Sequence, residues 1–332
     1  MPKCKYTSIG GQALIEGIMM KSPQKTAMGV RIPDGSIDIT YFPQKSLKQK
    51  YKILAIPVIR GVVGFIESLT EGYKAMMLSA EKSGFADLQE EEKPKTKAEE
   101  KKQNAFFNAV MAVGSVLGIA LSVVLFMFLP RLAVEGLEYL FSHTFSKLGR
   151  SCIEQLIKLS IFVLYVWLIS FMKDIKRVFM YHGAEHKTIF CYEKGLELNV
   201  ENVKKQKRLH PRCGTSFMIL MILISVIIST AVQIIFPSVY NFKWLWVTVK
   251  ILLIPLTCGV GYEVLKACGK YDNILTKIIS APGMWLQKIT TKEPNADMIE
   301  IAIAALRACE PDVPDVERSV DNKERNSEDD DI

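Results

Sequence analysis

The sequence lacks several patterns that define common classes of enzyme and transporter. It contains no G-x-x-x-x-G-K-[ST] loop, and the three glycines within residues 10–17 do not form one, so we set nucleotide binding aside. None of the seven cysteines belongs to a C-x-x-C pair, and their odd number predicts free thiols or metal ligands in a reducing compartment. No internal repeat is visible, which disfavours transporters built from inverted repeats.

Charge is missing from two long apolar runs. Residues 105–130 are 26 consecutive uncharged residues, and residues 217–237 are 21 more. Both runs can cross about 30 Å of hydrocarbon at about 1.5 Å per residue. Residues 156–172, in which Lys158 can snorkel, and residues 245–265 are further candidates. The apolar content of 49% agrees with this pattern. We therefore predict a mainly α, polytopic membrane protein with four transmembrane helices.

The basic residues predict the orientation of these spans. Loop 173–216 carries ten Lys and Arg residues, whereas loop 131–157 carries three and loop 238–244 carries one. The positive-inside rule then places both termini on the cytoplasmic side of the cell membrane. The start of the chain has no charged segment followed by an apolar one, which predicts no cleavable signal peptide. Basic loops on an anionic leaflet explain the net charge of +7, so it requires no nucleic acid.

The remaining segments flank the predicted four-span domain, residues 105–266. Residues 1–50 contain a predicted β-hairpin in which a Pro-Asp-Gly turn joins residues 28–32 to residues 37–41. Residues 51–80 are apolar for too short a stretch to span, and they predict an interfacial or re-entrant helix. Residues 81–104 predict a charged, flexible linker.

The C-terminal part of the chain divides into two predicted segments. Residues 267–309 form a cytoplasmic helical segment, in which Asp297 is the expected N-cap of the last helix. Met298, Ile301, Ala305 and Leu306 line one side of that helix, so it should dock on another element. Residues 310–332 are acidic and nearly free of apolar side chains, which predicts a disordered tail.

Histidine is scarce, and its clustering is therefore informative. Three of the four histidines, His182, His186 and His210, fall within 29 residues. The first two belong to an H-x-x-E-H run, and residues at i, i+3 and i+4 of a helix share one face, so Glu185 projects with them. Two histidine ligands beside a glutamate general base form the catalytic zinc site of the inverted zincins. The alternative is a solvated helix in which Glu185 pairs with Lys187 or a histidine.

Two ligands do not hold zinc well, and the sequence offers two ways to complete the site. His210 and Cys213 form an H-x-x-C knuckle that, with the two motif histidines, would close a structural tetrahedral site. Glu263, a carboxylate at the end of the fourth span, would instead leave one position open for water, from which Glu185 could take a proton. Both alternatives remain open at this stage. The further polar candidates are Arg60, Glu67 and Glu16.

Six short motifs are distributed along the chain. They are residues 10–20 (GGQALIEGIMM), Arg60-Gly61, residues 181–187 (YHGAEHK), residues 210–217 (HPRCGTSF), Tyr262-Glu263 and residues 290–294 (TTKEP). Together they resemble the YqhQ-like family of bacterial membrane proteins, over nearly the whole chain except the charged linker and the acidic tail. The resemblance implies an uncharacterised family whose members are described as predicted metal-dependent enzymes.

The sequence supports three hypotheses about function. The first is a metal-dependent hydrolase at the cytoplasmic membrane face, with zinc favoured over manganese or iron because imidazole is combined with carboxylate or thiolate. Its partners would be the lipid bilayer, a membrane-protein or lipid-like substrate and, if it is a homo-oligomer, a second copy of the chain. The second is a scaffold or regulator with a structural zinc. The third, ion or small-solute transport, is disfavoured because the spans hold few ionisable residues.

Overall fold

The computed structural model describes residues 9–43, 47, 51–85, 97–142, 144–211, 213–271 and 273–310. The strands are β1 (Gly10–Leu14), β2 (Gly17–Lys21), β3 (Thr26–Arg31) and β4 (Ile37–Phe42). After a 3₁₀ turn (Lys52–Ala55), the helices are α1 (Ile59–Lys82), α2 (Lys97–Val123), α3 (Leu129–Leu140), α4 (Lys147–Ile169), α5 (Lys173–Glu193), α6 (Val200–Lys204), α7 (Gly214–Ile235), α8 (Pro237–Asn241), α9 (Lys243–Lys270), α10 (Ile274–Thr290) and α11 (Ala296–Cys309).

The four strands form one antiparallel sheet in the order β1-β2-β3-β4. The predicted hairpin is β3–β4, in which Arg31 pairs with Ile37 across the Pro-Asp-Gly turn. Gly35 in that turn has φ of +87°, a conformation that side chains disfavour. Strands β1 and β2 extend the sheet, and they are formed by the glycine-rich run at residues 10–21.

Helix α11 covers one face of this sheet. It packs against β2, β3 and α5. Its predicted docking side is buried, with Met298, Ile301 and Leu306 at 1% exposure or less. Each apolar side chain buried in this way contributes about 1.5–3 kcal/mol to stability. The predicted N-cap, Asp297, was wrong. The helix begins at Ala296 and its N-cap is Asn295, because the side chain of Asn295 accepts a hydrogen bond from the backbone N–H of Met298 at 3.0 Å.

Helix α1 covers the other face of the sheet and also contacts α9. Ala75 is buried in a cluster with Leu14, Met28 and Val30 of the sheet. At its other end, Gly61 lies so close to α9 that an added Cβ would be 2.9 Å from Cα of Gly259. The segment predicted as an interfacial or re-entrant helix is therefore a 24-residue helix that joins the sheet to the apolar helices. Whether it is interfacial or re-entrant stays a prediction.

Four helical segments are long and apolar enough to cross a membrane, which confirms the predicted fold class. They are Ala112–Leu140, Leu148–Ile169, Gly214–Ile235 and Leu245–Cys268. The first segment contains a π-helical turn (Val124–Phe128) between α2 and α3. Helix α2 begins at Lys97, so the end of the predicted linker is helical. Residues 86–96 of that linker, and the predicted disordered tail beyond residue 310, lie outside the described residues.

Candidate metal site

Helix α5 presents the H-x-x-E-H run to the interior of the protein. His182, Glu185 and His186 are all buried, although each is polar. The helix can enter this position because Gly183 has no side chain: a Cβ there would be 2.0 Å from the carbonyl oxygen of Lys292. The segment that follows α10 therefore passes directly over the helix backbone. This arrangement rules out the solvated helix that the sequence left as an alternative.

Both motif histidines are oriented by backbone carbonyl groups. Nδ1 of His182 is 2.8 Å from the carbonyl oxygen of Thr290, and Nδ1 of His186 is 2.5 Å from that of Arg208. A carbonyl oxygen only accepts, so each Nδ1 must carry the proton. In the neutral ring, each Nε2 then has a free lone pair. Burial lowers the pKa of His186, which favours this neutral form.

Cys213 completes a cluster with the two histidines. Its Sγ is 3.1 Å from Nε2 of His182, and the potential ligand atoms of Cys213, His182 and His186 all lie within 4.8 Å of one another. Cys213 is the N-cap of α7 and accepts hydrogen bonds from the backbone and hydroxyl of Thr215. Burial alone raises the pKa of its thiol, but the adjacent His186 and Thr215 outweigh that effect and lower the pKa below its ordinary value.

The donor set fits a divalent metal of the zinc type. Zinc takes imidazole nitrogen and thiolate sulfur, and its histidine ligands characteristically donate their other ring N–H to a carbonyl or carboxylate. Among the described residues, the buried Nε2 of His186 has no partner other than the adjacent thiol of Cys213. A thiol is a weak hydrogen-bond donor, and a metal ion would satisfy the ring nitrogen better. His182, His186 and Cys213 could therefore hold one ion with a fourth position left for another ligand.

Glu185 lies between the two histidines in sequence and is 4% exposed. Its carboxyl group packs against Gly11 of β1, where an added Cβ would be 2.9 Å from Oε1. Burial raises the pKa of this carboxyl group to about 8, while the nearby His182 lowers it. A carboxyl group with a pKa near neutrality is suited to exchanging protons. Lys187, its suggested partner in the solvated-helix alternative, instead pairs with Glu293 at 2.7 Å.

His210 lies beside the cluster rather than within it. Its ring centroid is 5.6 Å from that of His186 and 4.6 Å from that of Phe190. Its Nε2 is 3.7 Å from the carboxylate of Glu193. Its backbone is held by the Gln287 side chain, which accepts from the N–H of His210 and donates to its carbonyl oxygen, both at 2.7 Å. This arrangement places the ring in the wall of the site.

The structure does not bring the remaining predicted site residues to the cluster. Glu263 forms a two-point ion pair with Arg60, with contacts of 2.6 and 2.5 Å, because the close approach of α1 and α9 places the guanidinium beside it. Glu16 pairs with Arg177 at 2.5 Å. Glu67 accepts a hydrogen bond from the backbone N–H of Leu47 at 2.7 Å. The role of each predicted residue in metal binding stays a prediction.

Sequence reasoning missed the groups that orient the ligands. Thr290 and Arg208 act through backbone carbonyls, which leave no mark on residue type. Gln287 is fully buried on α10, and nothing in its sequence context separates it from a surface glutamine. The motif at residues 290–294 was one of the six motifs behind the family resemblance, although the sequence suggested no role for it. In the structure, this segment packs directly against Gly183 of α5.

The architecture defines a class of protein: a helical chain with four membrane-crossing candidates and a buried His-His-Cys cluster between its sheet and the start of α7. A family model described as a protein of unknown function (DUF1385) matches residues 56–311. The chain is 37% identical over 296 residues, 89% of each chain, to the uncharacterized protein YqhQ of Bacillus subtilis (strain 168). The chain therefore belongs to this family, which confirms the resemblance. No solved structure matches it.

Proposed function

We propose that this protein is a membrane-embedded, zinc-dependent hydrolase whose site faces the cytoplasm. The observation that carries the proposal is the orientation of His182 and His186. Each ring donates from Nδ1 to a backbone carbonyl, which leaves both Nε2 atoms beside the thiol of Cys213. A core packed only for stability has no need for two such rings facing a thiol, whereas a zinc ion bound through Nε2 requires that tautomer.

The ligand set in this proposal is His182, His186 and Cys213. Three protein ligands with a fourth position open are typical of catalytic zinc, whereas four are typical of structural zinc. A bound zinc ion would supply Lewis acidity toward a water or a substrate carbonyl. Glu185, in its ionised form, would accept a proton from water and return it to the leaving group. Glu263 has no place in this set because it pairs with Arg60.

A cavity beside the start of α7 favours a lipid-like or membrane-protein substrate in this proposal. A cavity of about 290 Å³ lies beside the start of α7, and Gly214, Phe217, Phe65 and Tyr262 contribute to its walls. Gly214 directly follows Cys213 in the chain. The aromatic walls suit an amphiphilic substrate better than a small polar one. The basic loop between α4 and α7 supports the cytoplasmic orientation.

The first experiment is elemental analysis of metal in the detergent-purified protein. We expect one zinc per chain in the wild type and in Glu185→Gln, and less than about a tenth of that in His182→Ala. The conservative Glu185→Gln change keeps the side-chain volume and removes only the acid–base function. Absence of metal from the wild type after loading with zinc would contradict the proposal.

The second experiment tests hydrolysis itself. The zinc-loaded protein is incubated with chromogenic esters of increasing acyl chain length, beside Glu185→Gln with the same metal content. We expect hydrolysis by the wild type and a loss of about 10²–10⁴-fold in Glu185→Gln, because a general base contributes a factor of this size. Equal rates in the two proteins would contradict the role of Glu185.

A structural zinc is the second candidate function, and one observation favours it. The ring of His210 is close enough to that of His186, at 5.6 Å between centroids, for a modest rotation to bring a fourth ligand to the ion. The protein would then be a scaffold or regulator with a closed site. His210→Ala distinguishes the two candidates: an open site keeps its zinc in this variant, whereas a closed site binds it far more weakly.

A further inference from the structure

A second polar site lies inside the apolar helices, away from the metal cluster. A cavity of about 290 Å³ is lined by residues of α4, α7, α9 and the π-helical turn between α2 and α3. Its polar lining consists of Gln155, Lys158, Ser225, Ser229, Lys250 and Thr257. Ser225 lies 12 residues beyond Cys213 on α7, which is about 18 Å along the helix. The two sites are therefore separate.

The charges in this cavity do not balance. Lys250 pairs with Glu154 at 2.5 Å, and its ammonium group also lies 5.5 Å from the ring centroid of Trp246. Lys158, one helical turn after Glu154, also lines the cavity, whereas the carboxylate of Glu154 is paired with Lys250. Two lysines and one carboxylate leave a net charge of +1 within candidate membrane spans. Such a charge is costly unless it has a partner, and it marks sites that bind ions or polar groups.

A buried amide in the same cavity also needs a partner. Gln155 is 6% exposed, and its Oε1 makes no hydrogen bond to the described residues. Buried amide oxygens are nearly always paired, so a donor is expected at this point. A hydroxyl group on a bound molecule would supply it. The requirement is therefore for a ligand that combines a negative charge with a hydroxyl group.

The remaining walls are apolar, and one of them is an irregular stretch of helix. Met221, Ile251 and Ile254 line the cavity together with Phe126 and Met127 of the π-helical turn Val124–Phe128. Single π-helical turns occur frequently at functional sites, because they displace side chains from the regular helical register. An apolar wall beside two ammonium groups matches a molecule with a hydrocarbon chain and an acidic head.

We propose that this cavity, which we call the Lys158 cavity, binds an acidic amphiphile that carries a hydroxyl group. Lys158 and Lys250 contact its phosphate or carboxylate, Gln155 accepts its hydroxyl hydrogen bond, and the apolar side chains of α7, α9 and the π-helical turn contact its chain. The site is independent of zinc. Phosphatidylglycerol has the required chemistry and serves as the probe.

The test is native mass spectrometry of the full-length protein purified in a nonionic detergent. It is titrated separately with phosphatidylglycerol, with phosphatidylcholine of the same acyl chains, and with soluble glycerol 3-phosphate. We expect one molecule of phosphatidylglycerol per chain, at least about tenfold tighter than either comparison ligand. Equal binding of the two lipids would overturn the proposal, and so would equally tight binding of glycerol 3-phosphate, which has no hydrocarbon chain.

Variants locate the binding in the cavity. Lys158→Gln should weaken phosphatidylglycerol binding about tenfold or more, because it removes a charge-assisted contact. Lys288→Gln, which changes an exposed lysine on α10, is the control and should bind as the wild type does. If Lys158→Gln does not fold, Ser225→Leu fills the cavity without altering a charge and should also abolish binding. Unchanged binding in a folded cavity variant would overturn the proposal.

Discussion

Gly11 of β1 lies against the carboxyl group of Glu185 on α5. A Cβ at position 11 would be 2.9 Å from Cδ of Glu185 and 2.8 Å from the carbonyl oxygen of Met19. The backbone N–H of Gly11 also donates a hydrogen bond that lowers the pKa of this carboxyl group, against the larger effect of burial. The glycine-rich run near the N-terminus thus forms one wall of the site. The sheet and the H-x-x-E-H helix are one structural unit.

Replacing this glycine should disturb that unit. We expect Gly11→Ala to lower the free energy of unfolding by about 1–3 kcal/mol, because the added methyl group overpacks a site bounded by backbone and a buried carboxyl group. Gly10→Ala is the matched control, since a Cβ there meets nothing within 4 Å. The measurement is chemical or thermal unfolding of both variants in detergent. Equal stability of the two would contradict the close contact at position 11.

Gly183 offers a stronger version of the same test. A Cβ at position 183 would be 2.0 Å from the carbonyl oxygen of Lys292, so Gly183→Ala must displace the segment after α10. That segment directly follows Thr290, the last residue of α10, whose carbonyl orients His182. We expect a loss of about 3 kcal/mol or more in stability and a reduced zinc content.

The control for this variant is another helical glycine. Gly136→Ala on α3 meets nothing within 4 Å and should keep both the stability and the zinc content of the wild type. The two proteins are compared by thermal unfolding and by elemental analysis of the same preparations. Full zinc content in a folded Gly183→Ala would show that the segment after α10 does not position His182.

The sequence predicted the parts of this structure that depend on local pattern. The four spans follow from long apolar runs, and the shared direction of His182 and His186 follows from helical spacing. The third member of the cluster could not be chosen in the same way. Cys213 and Glu263 are both distant in sequence from α5. Only the folded structure separates them, because it brings Cys213 to His182 and pairs Glu263 with Arg60. Tertiary packing, rather than residue type, therefore determines that a thiol and not the carboxylate of Glu263 lies beside the two histidines.

The ion pair of Arg60 with Glu263 predicts that Glu263 is not a metal ligand. Glu263→Gln should keep one zinc per chain, because its carboxylate lies with the guanidinium on α1 rather than with the histidines. It should unfold at a lower temperature than the wild type, since it loses the charge that holds α1 to α9. Zinc loss in this variant comparable to that of His182→Ala would restore Glu263 as a ligand.

The double variant isolates the ion pair. If the two side chains act mainly on each other, Arg60→Gln combined with Glu263→Gln should be no less stable than the worse single variant. The measurement is thermal unfolding of the two single variants and the double variant in one detergent. Strictly additive losses would show that each residue has separate partners.

Cys213 provides the sharpest test of the cluster, because a thiolate ligand has its own spectroscopic signature. Replacing zinc by cobalt(II) should give the near-ultraviolet absorption of a cobalt–thiolate bond in the wild type. The band should disappear in Cys213→Ser, since the hydroxyl group is a much poorer ligand for such metals. Cys191→Ser is the matched control: Cys191 is also buried on α5, but its thiol contacts the carbonyl oxygen of Glu197 at 3.5 Å. A thiolate band that persists in Cys213→Ser, or that disappears in Cys191→Ser, would mean that the metal lies elsewhere in the protein.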